Sequence, residues 1–342
     1  MPQPPCFVVT GCAGFIGSHF CDHLLLPRSD CRVVGVDKMG YAALPENMEA
    51  AAADRRFDFV RADVADRAEM TKLLRLLRPT AVFNFAAESH VDRGNQGGDE
   101  FVRSNVGGVH SLAEACRALK DAGRPTTLVQ VGTDEVYGSL EDGSATPETR
   151  LNPNSLYSAT KAAGDLVAMS YFRTHGLDVR VTRCTNNYGP RQFPEKLIPV
   201  MAYKAMDGEP LPVYGDGRQV RDWIHVGDHC RGVWSALRRG SAGRVYHFAG
   251  GNEVDNLTVV GAILSALGKP ADSVRHVADR PGHDRRYSLD YSGSLVELGW
   301  RPTVDFKGGL AETVEWYRAN ARMREVFREV MAGEYARRNY GG

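Results

Sequence analysis

The sequence predicts an α/β fold, a doubly wound parallel (Rossmann-like) sheet with a smaller, interleaved substrate-binding lobe. Three observations support this. Strand-length apolar runs alternate with helix-length amphipathic stretches through the first half, a glycine-rich turn joins the first strand to the first helix, and the texture changes after residue 188. Parallel neighbours require a crossover about as long as a helix, so such alternation implies a parallel sheet covered on both faces.

In chain order, "CFVVT" (6–10), "RVVGV" (32–36), "FDFV" (57–60), "AVFNFA" (81–86), "TLVQV" (127–131) and "DVRVTR" (178–183) read as strands. Amphipathic stretches near 15–26, 66–78, 100–122 and 155–175 read as the intervening helices. After 188, "NNYGPRQFPEKLIP" and "GEPLPVYGDGRQVRDW" are rich in Pro, Gly, aromatic and charged residues, a composition that suits loops and short elements. "GRVYHFAG" (243–250) is expected to return a strand to the sheet. The expected division is therefore 1–188 with 226–254 for the sheet, and 189–225 with 255–342 for the lobe. "REVFREVMAGEYARR" near the end reads as a solvated amphipathic helix.

With 342 residues the chain can bury a large core and build more than one lobe. Lys plus Arg equals Asp plus Glu at 42 each, which argues against the broad basic surface that nucleic acid or an anionic membrane would require. Seven scattered cysteines without a CxxC suggest reduced thiols rather than a disulfide framework or a zinc ribbon. No run approaches the ~18 apolar residues of a membrane span. A soluble, cytoplasmic protein is expected.

"VTGCAGFIGSHF" (9–20) follows the first strand and places Gly11, Gly14 and Gly17 three residues apart. Without Cβ atoms the backbone can turn tightly and approach a pyrophosphate, whose charge then lies near the positive end of the following helix. A plain strand-to-helix turn is the bland alternative. Asp37 ends the second strand about twenty residues further on, where a carboxylate can accept both ribose hydroxyls of NAD and would repel a 2′-phosphate. Lys38 beside it weakens the exclusion of NADP. Asp63 and Val64, at the end of the third strand, are placed for the adenine edge, with a helix N-cap as the alternative for Asp63.

"GTDEVYG" (132–138) leaves a buried strand with Asp134 and Glu135 side by side behind Thr133. Adjacent carboxylates raise each other's cost of ionisation, so the pair is either well solvated or set for proton transfer. Capping a turn or pairing with arginine is the structural alternative. "YSATK" puts Tyr157 and Lys161 four apart, on one face of a helix. There the ammonium can favour the phenolate, and a phenol near pKa ~10 needs about 4 kcal/mol of such preference to act as a base near neutrality.

Thr133, Tyr157 and Lys161 behind "TGCAGFIG" resemble the extended short-chain dehydrogenase/reductase superfamily. More narrowly, "FAAESHVDR" (85–93), "TDEVYG" (133–138), "NNYGPRQFPEKLIP" (186–199), "VRDW" (220–223) and "ADRPGHDRRY" (278–287) resemble the dTDP-glucose 4,6-dehydratases, over about residues 6 to 318. The resemblance implies oxidation of a nucleotide-linked hexose at C4 by bound NAD, loss of water across C5 and C6, and return of the hydride to C6. It assigns Thr133 to the C4 hydroxyl, Tyr157 with Lys161 as the base there, Glu135 as the base at C5 and Asp134 as the acid at the departing hydroxyl.

Phe15, Ile16, Phe85, Ala86, Ala87, Asn105 and Asn187 match cofactor-contact positions. Ser89, Asn186, Glu195, Lys196, Leu197, Pro212, Tyr214, Arg221, Asn256, Arg280 and His283 match the substrate side. The resemblance also implies a homodimer paired through the helices near 100–122 and 155–175. His225 and His229 in "HVGDH" lack a third ligand motif, so no metal is expected.

Departures from the family pattern fall at Gly40, Gly94, Asn95, Gly132 and Gly227; the first could loosen cofactor binding and the rest reshape the pocket. The identity of base and hexose stays open, including UDP- or N-acetylated sugars. A nucleotide-sugar 4-epimerase, which has no use for an acid pair, and a non-catalytic NAD-binding regulatory protein are the competing readings.

Overall fold

A computed structural model describes residues 4–25, 30–89, 97–270, 273–279 and 282–333. Its main sheet has seven strands: β1 (Cys6–Thr10), β2 (Arg32–Asp37), β3 (Phe57–Arg61), β4 (Ala81–Asn84), β5 (Thr127–Thr133), β6 (Val179–Cys184) and β10 (Val245–Phe248). They are ordered β10-β6-β5-β4-β1-β2-β3, and every neighbouring pair is parallel. The strand order reverses between β1 and β4, and a crevice opens there at the carboxyl ends of the strands.

Alternation along the strands builds the two covered faces. Phe7, Val9, Val33, Phe83 and Val129 pack with Phe20 and Leu24 of the Phe15–Leu25 helix and with Cys230 and Val233 of the Val226–Arg239 helix. Val8, Val34, Val82, Leu128 and Val181 turn the other way, toward Met70, Leu74, Val109, Leu112 and Ala168. A second core, around Tyr188, Ile198, Tyr203, Ile263, Leu310 and Tyr317, lies under the helices Leu197–Asp207, Asn256–Leu267, Phe306–Ala319 and Ala321–Ala332. Near it are two smaller sheets. One joins β7 (Asn186–Tyr188), β9 (Val220–His225) and β11 (Glu253–Asp255); the other pairs β8 (Leu211–Tyr214) with β12 (Val274–Val277).

The strand expected in 243–250 does return to the sheet, as β10 beside β6. β4 stops at Asn84, so Phe85 and Ala86 lie in a loop beyond it; β5 runs two residues further than expected, to Thr133. The stretch 100–122 is not one regular helix. It consists of a short turn at Asp99–Val102, a wide π turn at Arg103–Gly107 and a helix at Gly108–Asp121. The π turn presents Asn105, whose amide accepts from Glu88 N–H (2.9 Å) and donates to Glu88 C=O (3.0 Å) and to Thr160 Oγ1 (3.0 Å). These long-range bonds offset the irregular turn, a known use of π bulges near functional sites. Asp66, not Asp63, caps the Arg67–Leu77 helix by accepting from Glu69 N–H.

Candidate active site

The crevice is a cavity of about 310 Å³ that gathers the glycine turn, the ends of β2, β4 and β5, the start of the Leu156–His175 helix and the segment 184–196. Gly11 and Gly17 form its floor. Gly11 has φ +70°, and a Cβ there would meet Ala86 N at 2.8 Å; a Cβ on Gly17 would come within 2.1 Å of Gly11 O. Only glycine fits at these two positions, and the close turn they allow leaves the helix amino terminus open to an anion. Asp37 is held by Ala13 N–H (3.1 Å) and Met39 N–H (2.8 Å) while lining the cavity. Burial raises its pKa, and these two donors oppose the rise. Phe15, Ile16, Val64, Ala86 and Ala87 complete this end, which fits a dinucleotide.

Lys38 also lines the cavity, yet its ammonium is engaged by Glu88 (2.7 Å), Glu100 (3.1 Å) and Ser104. Asp63 is not in the wall: it pairs with Arg103 at 2.8 Å and accepts from Ala65 N–H. Asn105 is buried behind Glu88 rather than lining the cavity.

The chemical groups meet at the end of β5. Ser155 caps the Leu156–His175 helix in a reciprocal capping box with Ser158, which sets Tyr157 and Lys161 in its first two turns. Thr133, Asp134, Glu135, Tyr157 and Lys161 all line the cavity. Thr133 Oγ1 donates to Asp134 Oδ1 at 3.1 Å and accepts from Glu135 N–H at 3.3 Å. Asp134 is 3% exposed and its Oδ2 has no hydrogen-bond partner.

Burial first, and then the neighbouring Glu135 carboxylate, push the pKa of Asp134 well above the usual carboxylate range. Burial and Glu135 also push the phenol of Tyr157 upward, opposed by the Thr133 hydroxyl. Lys161 donates to Val131 C=O at 2.6 Å; burial lowers its pKa, and Asp165 works against that. Cys184, pushed up to about 12 by burial, is a neutral thiol in the same wall.

On the opposite side, Ser89, Asn186, Glu195 and Lys196 line the cavity. Lys196 donates to Ser89 C=O (3.1 Å), and Tyr41 donates to Glu195 (2.9 Å). Asn187 is in the wall too, but its amide faces inward, on His229 Nδ1 (2.9 Å) and Thr185 C=O (3.0 Å). Leu197, Pro212, Tyr214, Arg221, Asn256 and His283 lie outside this wall, on the adjoining short elements. His283 contacts Asp279 at 2.6 Å, Asp279 accepts from Gln219, and the Tyr214 ring stands edge-on to His283. Arg221 donates to Asp284 C=O (2.9 Å), and its guanidinium lies 4.3 Å from the centre of the Tyr287 ring. Arg221 also lowers the pKa of Asp134, which links this group to the acid pair.

Arg280, and Gly94 and Asn95 among the departures, fall outside the described residues. Gly40 and Gly132 line the cavity, whereas Gly227 sits in the first turn of a helix away from it. Among the described residues no group of three His, Cys, Asp or Glu is placed to hold a metal; His225 accepts from Gly227 N–H, and His229 is buried against Asn187.

Sequence reasoning gave no role to Tyr287 or Tyr41. Tyr287 is buried and electrostatically coupled to Glu135, and it closes the quoted "ADRPGHDRRY" run. Tyr41, next to the departure at Gly40, lines the cavity and donates to Glu195.

A GDP-mannose 4,6 dehydratase family model matches residues 8–313. A dTDP-glucose 4,6-dehydratase of Actinoplanes sp. is 52% identical over 319 residues, 92% of this chain and 98% of the relative. One from Streptomyces antibioticus is 48% identical, covering 96% of this chain and 97% of the relative. Among solved structures, the dTDP-glucose 4,6-dehydratase DesIV from Streptomyces venezuelae, with NAD and TYD bound, superposes with a TM-score of 0.88 at 49% identity, over 92% of this chain and 97% of DesIV. With its glycine cradle, its Thr-Asp-Glu turn and its Tyr-Lys helix in one crevice, the chain belongs to the dTDP-glucose 4,6-dehydratase family.

Proposed function

We propose that this chain is an NAD-dependent 4,6-dehydratase that converts dTDP-glucose to dTDP-4-keto-6-deoxyglucose with loss of one water. NAD, when bound, supplies a reversible hydride store and a positive charge that favours the phenolate of Tyr157. Gly11, Gly14 and Gly17 cradle the diphosphate of the dinucleotide, and Asp37 accepts its ribose hydroxyls. Thr133 orients the C4 hydroxyl and Tyr157 takes its proton, with Lys161 holding positive charge beneath. Glu135 then removes the C5 proton made acidic by the adjacent carbonyl, and Asp134 protonates the C6 hydroxyl as it leaves.

The observation that carries this reading is the carboxyl of Asp134. It is buried in the wall, has a partnerless Oδ2 and is shifted upward by burial and by Glu135, all of which favour the protonated form where an acid is needed. A 4-epimerase has no step that would use it. The polar residues of the loop side support recognition of a nucleoside diphosphate sugar, with Arg221 and Lys196 suited to the diphosphate. The division of the chain into an NAD-binding portion and a nucleotide-sugar lobe is part of the same reading.

Partly exposed Val102 and Leu166, on the helical stretches near 100–122 and 155–175, support a homodimer formed there; light scattering at micromolar concentration should give twice the chain mass. Seven free cysteines suit a cytoplasmic, reducing setting, and no helix among the described residues is long and apolar enough to cross a membrane.

The test uses dTDP-glucose labelled with deuterium at C4. Mass spectrometry should find a product lighter by one water, with the label on its methyl group. A product of unchanged mass, or a label lost to solvent, would overturn the reading.

A further inference from the structure

Behind the acid pair lies a chain of buried polar side chains that the proposed reaction does not use. Asp165 stands one helical turn beyond Lys161 and pairs with Arg183 Nε at 2.9 Å; the two side chains are 1% and 5% exposed. Arg183 Nη1 donates to the Tyr137 hydroxyl at 2.5 Å, and that hydroxyl meets His247 Nε2 at 2.7 Å. His247 Nδ1 in turn lies 3.0 Å from Asp290 C=O. The directions are determined. Asp290 C=O can only accept, so His247 donates from Nδ1 and accepts at Nε2; Tyr137 donates to it and accepts from Arg183. Burial keeps His247 neutral, with its pKa down to about 4, which agrees with this single arrangement.

The network crosses the sheet one residue behind the chemistry. Arg183 on β6 is in register with Gly132 on β5 and with His247 on β10, while the next pair along β5 and β6 is Thr133 with Cys184. A Cβ on Gly132 would stand 3.0 Å from an Asp165 oxygen, so the bare backbone there makes room for this carboxylate. Tyr137 ends the four-residue turn Asp134–Tyr137 that carries both acids. A turn this short has few bonds of its own, chiefly Gly138 N–H to Glu135 C=O and Asn152 N–H to Val136 C=O. The Thr133 hydroxyl caps its first residues, and at its far end the side-chain anchor is the Tyr137 hydroxyl, which donates one bond and accepts another.

We propose that Tyr137 is a positioning residue: gripped by Arg183 on one side and His247 on the other, it fixes the turn bearing Asp134 and Glu135 against the helix bearing Tyr157 and Lys161. The inference rests on the dehydratase reading. It separates the two halves of the reaction, because Thr133 and Tyr157 are held by β5 and by the Leu156–His175 helix, whereas the acids depend on the turn.

The test compares wild type with Tyr137→Phe, which keeps the ring and removes the hydroxyl, using dTDP-glucose as substrate. Tyr137→Phe should lower kcat by roughly tenfold or more, the scale of loss from small misplacements of reacting groups, with KM little changed. The near-ultraviolet absorbance of reduced cofactor during turnover should rise, because oxidation at C4 proceeds and elimination stalls. Calorimetric affinity for dTDP should match wild type.

Equal turnover in the two proteins would overturn the proposal, as would a fall in kcat without added reduced cofactor. If Tyr137→Phe does not fold, Arg183→Lys takes its place: it keeps the charge beside Asp165 and is too short to reach the hydroxyl as well, and the same pair of signatures decides. A wild type that releases no water from dTDP-glucose would instead remove the proposed function itself.

Discussion

The two sides of the crevice are built in different ways. On the sheet side, Thr133, Asp134 and Lys161 are at most 7% exposed and sit at the ends of a strand and a capped helix. On the loop side, Glu195 and Lys196 line the cavity through contacts such as Tyr41 to Glu195 and Lys196 to Ser89 C=O, and Tyr214, Asn256 and His283 stand beyond the wall on a short strand, a helix start and a loop. The difference teaches that proton chemistry needs dry, fixed groups whose acidity is set by burial, while recognition of a polar ligand can be spread over many modest contacts. Substitutions on the first side should strike kcat, and on the second KM.

The largest effect is expected at the base. Tyr157→Phe should lower turnover by about 10³-fold, since general base assistance is worth ~10²–10⁴, while dTDP affinity measured by calorimetry stays put. A pure KM effect would break the contrast between the two sides. Glu135→Gln comes next, with a loss of about 10²-fold and reduced cofactor visible during turnover, because oxidation at C4 is spared more than elimination. If elimination persisted without any reduced cofactor, the roles given to Thr133 and Tyr157 would fall. On the loop side, His283→Ala should raise KM by roughly tenfold with kcat within about twofold; initial rates over a range of substrate concentrations check this.

The smallest effect concerns stability and has the opposite sign from the activity losses. Asp134 has a raised pKa in the folded protein, so the native state keeps a proton that the unfolded chain releases above ~3.9. Its contribution is present at low pH and is lost as pH rises through that window. Asp134→Asn should therefore be more stable than wild type near neutrality, by on the order of 1 kcal/mol, with the gap closing at acid pH. Urea unfolding midpoints across a pH series measure it; a variant less stable than wild type at neutral pH would mean that the carboxyl is ionised in the fold.

How much of this was legible beforehand depended on the range of the forces involved. The glycine arc, the adjacent acids and the Tyr157–Lys161 spacing are local, so pattern and sterics reveal them. The parallel sheet with helices on both faces followed from alternation, and β10 from one apolar run. By contrast, the placing of Asp63 depended on Arg103, forty residues away, and the engagement of Lys38 on Glu88 and Glu100. Asn105 matches a cofactor-contact position of the family, yet the π turn sends it into Glu88 and Thr160. No periodicity signal marks that turn, since the flanking stretches stay helical on either side. Tyr287 meets Arg221 and feels the charge of Glu135 only once β9 and the 282–287 segment come together.

The wide turn at Arg103–Gly107 has an evolutionary consequence. Removing one residue there would turn the bulge into a regular helix that keeps its downstream faces, because a π turn holds one extra residue in an otherwise α-helical run, but the bulge that presents Asn105 would be gone. Leu112, Cys116 and Leu119 would stay on the sheet, while Glu88 would lose its clasp. A descendant shortened by one residue here should hence keep its core and lose the tie on the loop that carries Glu88.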